Sequence, residues 1–223
     1  MEAIAHIHTD LPTKFGVPRQ CGLVKALKGR IVFTPKFREP EALRGLEDFT
    51  HIWLIWQFSQ AVRDEWSPTV RPPRLGGSER MGVFATRSPF RPNPIGLTCV
   101  KIDHVELTDD GPIIHVLGAD LRDGTPIFDI KPYIPFADCH PDATGGFIDE
   151  APWHELDVDF PETLQAHIEG DKLEGLMEVL RQDPRRAGSK HDPSRVYHLA
   201  FAAYDVAFTV DGDALHVVEV ASA

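Results

Sequence analysis

The 223-residue sequence lacks the marks of several large functional classes. Its only cysteines, Cys21, Cys99 and Cys139, are odd in number, widely spaced and without C-x-x-C or Cys/His ligand spacing. Neither a disulfide framework nor a zinc site is suggested, and reduced thiols are expected. There is no G-x-G-x-x-G, no P-loop and no G-x-S-x-G, which disfavours a Rossmann cofactor site, an NTPase and an α/β-hydrolase. The 11 His are scattered, none in H-E-x-x-H or a comparable pair, so no metal is expected. The longest apolar run, Ile52–Trp56, is far short of a bilayer span, and MEAIAHIHTD has neither a basic n-region nor an apolar h-region. A soluble, cytoplasmic protein with no membrane association is expected. Positive charge is also scarce: 23 Lys+Arg face 34 Asp+Glu, a net charge of −11. Taken whole, that balance argues against a polyanionic partner.

What is present changes that reading. The charge is divided along the chain, with 15 Lys+Arg and 9 Asp+Glu in residues 1–101 (+6) and 8 against 25 in residues 102–223 (−17). Leu11–Arg38 contains seven basic residues and no acid, and Val70–Lys101 contains six with Glu79 as the one acid. A local basic cleft in an acidic protein is therefore expected.

Strand patterns dominate the first two thirds. Glu2–His8 alternates; Gly22–Lys25 and Arg30–Thr34 flank Lys28-Gly29, which predicts a hairpin; His51–Phe58 (HIWLIWQF) suits a buried strand. Glu41–Leu46 predicts a helical turn or two, and Trp66–Gly77 a Pro/Gly/Arg loop. Met81–Arg87, Gly96–Leu107, Ile113–Gly118 and Thr125–Asp129 continue the strand pattern. Six or seven strands with almost no helix between them predict an all-β barrel or sandwich rather than a βαβ sheet, and the Gly-punctuated strands favour a closed barrel, which removes exposed edges. Past Asp142–Pro152 the composition changes. Leu164, Ile168, Leu173, Leu176, Val179 and Leu180 recur at helical intervals broken at Gly170, predicting two helices. Tyr204–Val210 and Ala214–Val220 flank Asp211-Gly212-Asp213, a hairpin signature. The predicted architecture is mainly β: a closed antiparallel barrel over residues 1–150 and a small α+β appendage over 151–223.

Chemistry-bearing residues concentrate in a few segments. Gly82–Gly96 (GVFATRSPFRPNPIG) places Arg87 and Arg91 in a proline-shaped loop that cannot be an ordinary helix. Such a loop suits carboxylate or phosphate recognition, because guanidinium groups bind these bidentately and a pre-set backbone lowers the ordering cost. Val17–Gly22 offers Arg19 and Gln20, Thr69–Gly77 offers Arg71 and Arg74, and Ser59-Gln60 ends the apolar strand. Asp120–Tyr133 (DLRDGTPIFDIKPY) carries Asp120, Asp123, Asp129, Lys131 and Tyr133. Asp129 lies between Phe128 and Ile130, where an unpaired carboxylate would be costly; it either pairs with a cation or performs proton chemistry.

Four segments in order, VPRQCGLVK (Val17–Lys25), RGLEDFTHIWLIWQF (Arg44–Phe58), VRPPRLGGSERMGVFATRSPFRPNPIGLT (Val70–Thr98) and DGTPIFDIKPYIP (Asp123–Pro135), resemble the TrmO (TsaA-like, YaeB-like) family over residues 1–150. The resemblance implies an S-adenosylmethionine-dependent methyltransferase acting on N6 of N6-threonylcarbamoyladenosine at position 37, in the tRNA anticodon stem-loop. It also implies a single-sheeted β-barrel and homodimers with cofactor sites near the subunit interface. Carried over, the cofactor contacts fall on Pro18, Arg19, Gln20, Ser59, Gln60, Arg87, Leu97, Gly118, Ala119, Asp120 and Leu121. By residue type, Arg19 or Arg87 suits the cofactor carboxylate and Asp120 its amine or ribose. Asp129 is the candidate base for the N6 proton, with Tyr133 orienting base or substrate. Arg71, Arg74, Arg91 and Asn93 are assigned to the tRNA and the threonyl carboxylate. Arg185 joins them, because Gln182-Asp183-Pro184-Arg185 resembles the family's C-terminal motif. A non-catalytic RNA-binding barrel and a small-metabolite methyltransferase remain as alternatives.

Overall fold

The computed structural model describes residues 1–72, 75, 79–150, 154–185 and 192–223. Alternation of apolar and polar residues sets the main element. β1 (Ala5–Thr9), β2 (Lys28–Phe33), β3 (His51–Gln57), β6 (Ile95–Thr108), β7 (Gly111–Leu117) and β8 (Thr125–Pro132) close into an antiparallel barrel in the order β1-β2-β7-β6-β3-β8. The ring shuts where β8 meets β1, with Ala5 opposite Ile127 and Ile7 opposite Thr125. Inward positions supply the core: Ile7, Ile31, Ile52, Leu54, Trp56, Val100, Ile102, Ile114, Val116 and Ile127 are buried, and Ala119 and Leu121 join them just past β7. Closure gives every barrel strand a neighbour on both sides over part of its length, which limits the edge open to another chain.

β6 is 14 residues long and works twice. Ile95–Lys101 pair with β3, Lys101–Thr108 pair with β7, and a register shift lies between Ile102 and His104. The first half of β6 therefore runs beyond β7, leaving room for the chain that follows Leu117. Gly118 makes that exit, at φ +81, a conformation open to glycine at little cost.

The strand readings hold with altered bounds, except at two places. Lys28-Gly29 is not a turn: both residues lie inside β2, and Gly22–Lys25 forms no strand. The true link from β1 to β2 is a long irregular segment. Met81–Arg87 is strand only at β5 (Met81–Gly82), which pairs with β4 (Thr69–Val70) in a small ribbon before a 3-10 turn at Val83–Ala85. Glu41–Leu46 becomes two 3-10 turns, Pro40–Leu43 and Leu46–Asp48.

After short helices α1 (Pro135–Asp138) and α2 (Phe147–Glu150), the remaining chain builds a four-stranded sheet of order β10-β11-β12-β9. Its strands are β9 (Asp157–Asp159), β10 (Tyr197–Phe201), β11 (Tyr204–Asp211) and β12 (Ala214–Ser222), accompanied by α3 (Glu162–Gln165) and α4 (Gly170–Arg181). The hairpin at Gly212 and the helical break at Gly170 fall as the sequence indicates. β9 and β10 carried too little pattern to be read. A second core forms here from Leu176, Val179, Leu180, Leu199, Phe201, Phe208 and their neighbours, and it includes Leu11, Val24 and Leu27 from the β1–β2 link.

Candidate functional site

The segment from Gly118 to Asp123 is the hub on which the candidate residues converge. Its first residue donates a backbone hydrogen bond to Leu27 O (2.9 Å), and Asp123 N donates to Leu11 O (2.9 Å). Thr9 Oγ1 donates to Leu121 O at 2.9 Å. Both ends of the β1–β2 link, which carries Arg19 and Gln20, are thus pinned to the hub.

Asp120 sits at the centre. Trp56 Nε1 donates to Thr98 Oγ1 (2.9 Å), and Thr98 Oγ1 donates to Asp120 Oδ1 (2.8 Å). Trp56 and Thr98 are buried, so the carboxylate is fixed by a chain of bonds rooted in the barrel core. Arg87 Nη1 donates to Gln20 Oε1 at 2.6 Å, and the Arg87 charge acts on Asp120. Burial raises the Asp120 carboxyl above its ordinary range; the bond from Thr98, the Arg87 charge and the Cys21 backbone pull the other way. Gln20, Arg87 and Asp120, three loops distant in sequence, therefore form one polar cluster.

The neighbouring candidates divide by what they can offer a ligand. Ala119 and Leu121 bury their side chains in the core, so their backbone is what faces outward chemistry. Ser59 and Gln60 occupy the turn after β3, and Gln60, with its amide oxygen facing Arg122, accepts from Arg122 Nη1 at 2.6 Å. That contact ties the turn to the hub. Pro18 is buried, and Arg19 Nη2 donates to Arg185 O (3.2 Å) beside a small cavity of about 200 Å³ that Pro18, Arg19, Asp183 and Arg185 line. Arg19 is thus turned toward the C-terminal part rather than toward Arg87. Leu97 is 56% exposed on the outer barrel wall, opposite Ile55.

Asp129 and Tyr133 are not brought together. Asp129 is opposite Ile55 on the outer wall, about half exposed, and forms an ion pair with Lys131 (3.0 Å). Tyr133 lies four residues farther along an extended chain, about 13 Å at strand rise. Its ring packs near His51 (6.2 Å) and Trp53 (5.8 Å). Partial burial and the neighbouring Cys139, Cys99 and Asp138 raise the Tyr133 phenol. Asp138 accepts from Trp53 Nε1 (3.0 Å) and Ile134 N (2.8 Å), which lowers its own pKa. Burial, with Cys21 and Asp138 nearby, pushes the Cys99 thiol up to about 11.

Among the substrate candidates, Arg91 folds back on its own loop, donating to Thr86 O (2.9 Å) and Ser88 O (3.4 Å). Asn93 and Arg71 are exposed. Arg185 is held bidentately by Asp183 (2.8 and 2.9 Å), which raises its pKa further. Arg74 lies outside the described residues. Thr98, Trp56 and Arg122 were missed from sequence. Thr98 had a legible sign: it stands at an inward position of β6, where a hydroxyl needs a partner.

Among the described residues, no group of three or more His, Cys, Asp and Glu could hold a metal ion, and no helix is long and apolar enough to cross a membrane. The arrangement suits an organic ligand that carries both charges: a guanidinium for a carboxylate, a half-covered carboxylate for an ammonium or hydroxyls, and backbone groups at the hub.

Known proteins give the same direction. Residues 6–139 match the family model of the tRNA-methyltransferase O N-terminal domain, and residues 154–223 match the TrmO C-terminal domain. The chain is 45% identical over 197 residues to the tRNA (adenine(37)-N6)-methyltransferase of Escherichia coli (strain K12), spanning 85% of this chain and 83% of that protein. It is 41% identical over 210 residues to a Pseudomonas aeruginosa protein named putative S-adenosylmethionine-dependent methyltransferase RcsF, spanning 91% and 89%. A crystal structure of TrmO from P. aeruginosa superposes with a TM-score of 0.79 at 35% identity, covering 99% of this chain and 95% of that one. With both of its family models matched in order and the fold shared along its length, the chain belongs to the TrmO family.

Proposed function

We propose that this chain is a tRNA methyltransferase that uses S-adenosylmethionine to methylate N6 of the adenine at position 37, with N6-threonylcarbamoyladenosine as the substrate nucleoside. The observation that carries the reading is the Gln20–Arg87–Asp120 cluster, anchored through Thr98 and Trp56 to the core of a family barrel. The residues present fit the cofactor. Arg87 is exposed and can bind a carboxylate, Asp120 is a carboxylate whose burial calls for a cationic or hydroxyl partner, and the hub backbone can meet an adenine or ribose edge. When bound, S-adenosylmethionine would supply an electrophilic methyl group on its sulfonium, with the neutral thioether S-adenosylhomocysteine as the leaving group.

This chain's own contribution is positioning. Arg87 and Asp120 hold the two charges of the amino-acid end, and the Gln20 amide sets the Arg87 guanidinium. Arg91, Asn93, Arg71 and Arg185 are assigned to tRNA phosphates and the threonyl carboxylate, with Arg91 also bracing the 86–91 loop. Asp129, paired with Lys131, remains the proposed base for the N6 proton, and Tyr133 is assigned to orienting substrate. Their separation in one chain assigns them to one active centre only if substrate or a second copy lies across the outer wall. Homodimerisation in the cytoplasm is part of the same reading; exposed Leu97 and Ile95 on that wall support it.

Mass spectrometry of nucleosides from tRNA incubated with protein and cofactor is the direct test. A single-methyl mass gain on threonylcarbamoyladenosine is expected. No gain, with tRNA still bound, would favour the RNA-binding barrel; methylation of a small metabolite, insensitive to salt, would favour the third alternative.

A further inference from the structure

The loops around residues 61–67 and 83–91 enclose a cleft of about 640 Å³ whose lining includes Arg63, Asp64, Glu65, Trp66, Phe90 and Arg91. Three aromatic rings are exposed on and beside it. Trp66 is 52% exposed, Phe84 73% and Phe90 38%. Trp66 and Phe84 are stacked, with centroids 6.1 Å apart and planes 29° from parallel, and the Arg63 guanidinium lies 3.7 Å from the Phe90 ring centroid. Aromatic faces left to water in this density mark a binding surface.

The chemistry of the lining identifies the ligand class. Its two guanidinium groups are balanced by two carboxylates, so net charge alone does not make the cleft a phosphate site. It offers flat apolar faces, a cation already seated on an aromatic ring, and acceptors at the rim. A nucleobase matches each feature: its face stacks on Trp66 or the Arg63–Phe90 pair, and its amino groups can donate to Asp64 or Glu65. Arg71 and Arg80 lie outside the cleft on or beside the β4–β5 ribbon, both exposed, with Arg80 Nε steadied by Thr69 Oγ1 at 2.8 Å. They suit the backbone of the same nucleotide. The 83–91 loop also carries Arg87, so a base held here belongs to the strand that enters the cofactor cluster.

We propose that this cleft is a stacking site for an unpaired nucleobase of the anticodon loop adjoining the methylated adenosine. The proposal rests on the tRNA methyltransferase reading and adds a base-recognition element to it. Stacking also explains why Trp66 and Phe84 are exposed in a chain with ample core.

The test uses the full chain and an anticodon stem-loop RNA, measuring affinity across a salt series for wild type, Trp66→Ala, Phe84→Ala, Trp66→Phe and Arg80→Ala. Cofactor affinity and sedimentation are followed for each. Trp66→Ala and Phe84→Ala should each weaken RNA binding about 5- to 100-fold, with the salt slope unchanged because no phosphate contact is lost. Trp66→Phe should restore most of the affinity, whereas Arg80→Ala should lower the salt slope by about 1. Cofactor affinity should not move in the aromatic variants. Wild-type RNA affinity in both alanine variants would overturn the stacking site while tRNA methylation by the wild type left the functional reading intact. A changed sedimentation state with unchanged RNA affinity would overturn it too, and would assign the patch to a second copy of the chain. Failure of the wild type itself to bind RNA or methylate tRNA would overturn both.

Discussion

At the residue scale, Asp120 carries the main tension of the site. Its carboxyl is held above the ordinary 3.8 by burial, so the folded protein binds that proton more tightly than the unfolded chain does. The resulting stabilisation is fully present below pH about 3.8 and is lost as pH rises through the raised folded value. At neutral pH the ionised carboxylate is a net cost to the fold. Asp120→Asn keeps an acceptor for Thr98 and removes the charge. It should melt at a higher temperature than wild type at pH 7, with the difference closing as pH falls toward 4, while cofactor affinity drops. Equal melting temperatures at pH 7 would show that Arg87 fully offsets the burial. Arg87→Ala should weaken cofactor binding by about 10- to 100-fold, the loss of a charge-assisted bond, as read by calorimetry. Unchanged binding would remove Arg87 from the cofactor site. These residues were legible because their types are costly where they stand. For Asp129 the sequence left pairing and proton chemistry open, and the pair with Lys131 needed the strand geometry, which places positions two apart on one face.

At the scale of elements, the barrel was legible because alternation fixes which side chains face in, and β3 with β6 supply the clearest alternation. What failed was turn chemistry: Lys28-Gly29 looks like a hairpin tip, yet Gly29 is the second residue of β2, with Val116 and Ile7 close against it. Small size, not turning, is what that position needs. Gly96 shows the same use. It faces the Trp56 indole directly across the β3–β6 ladder, and a Cβ there would collide with the ring. Displacing Trp56 would also release Thr98, and with it Asp120. Gly96→Ala should therefore cost about 1–3 kcal/mol in denaturant unfolding, as overpacking does, and lower cofactor affinity together with stability. A destabilised variant with intact cofactor affinity would show that Asp120 does not depend on the Trp56–Thr98 chain. Nothing in local sequence marks this glycine, because its partner is set by register.

At the scale of the whole molecule, the C-terminal part braces the link that supplies Gln20 to the Gln20–Arg87–Asp120 cluster. The β1–β2 link, which carries Arg19 and Gln20, packs Leu11, Val24 and Leu27 into the second core, and Phe15 stacks near Phe208 (6.4 Å). Ala26 N donates to Glu178 Oε2 (2.8 Å), Lys172 pairs with Asp10 (2.8 Å) and Arg19 reaches Arg185 O. This division of labour was invisible in a sequence that reads as a barrel followed by an appendage, because hydrophobic residues of a loop do not announce which core they serve. Each buried Leu or Val is worth about 1.5–3 kcal/mol, so the link gains most of its order from that core. A chain ending at residue 150 keeps every barrel strand and the barrel core but leaves these three side chains uncovered. It should retain the β-sheet circular dichroism of the barrel and be cut by protease within residues 12–26. Cofactor binding should be weaker than in the full chain, and Gln20→Ala, damaging in the full chain, should have little further effect in the shortened one. That non-additivity is the decisive reading, since it reports whether Gln20 is still positioned. Full cofactor affinity in the shortened chain, with the link protected from protease, would show that the barrel alone holds the link in place.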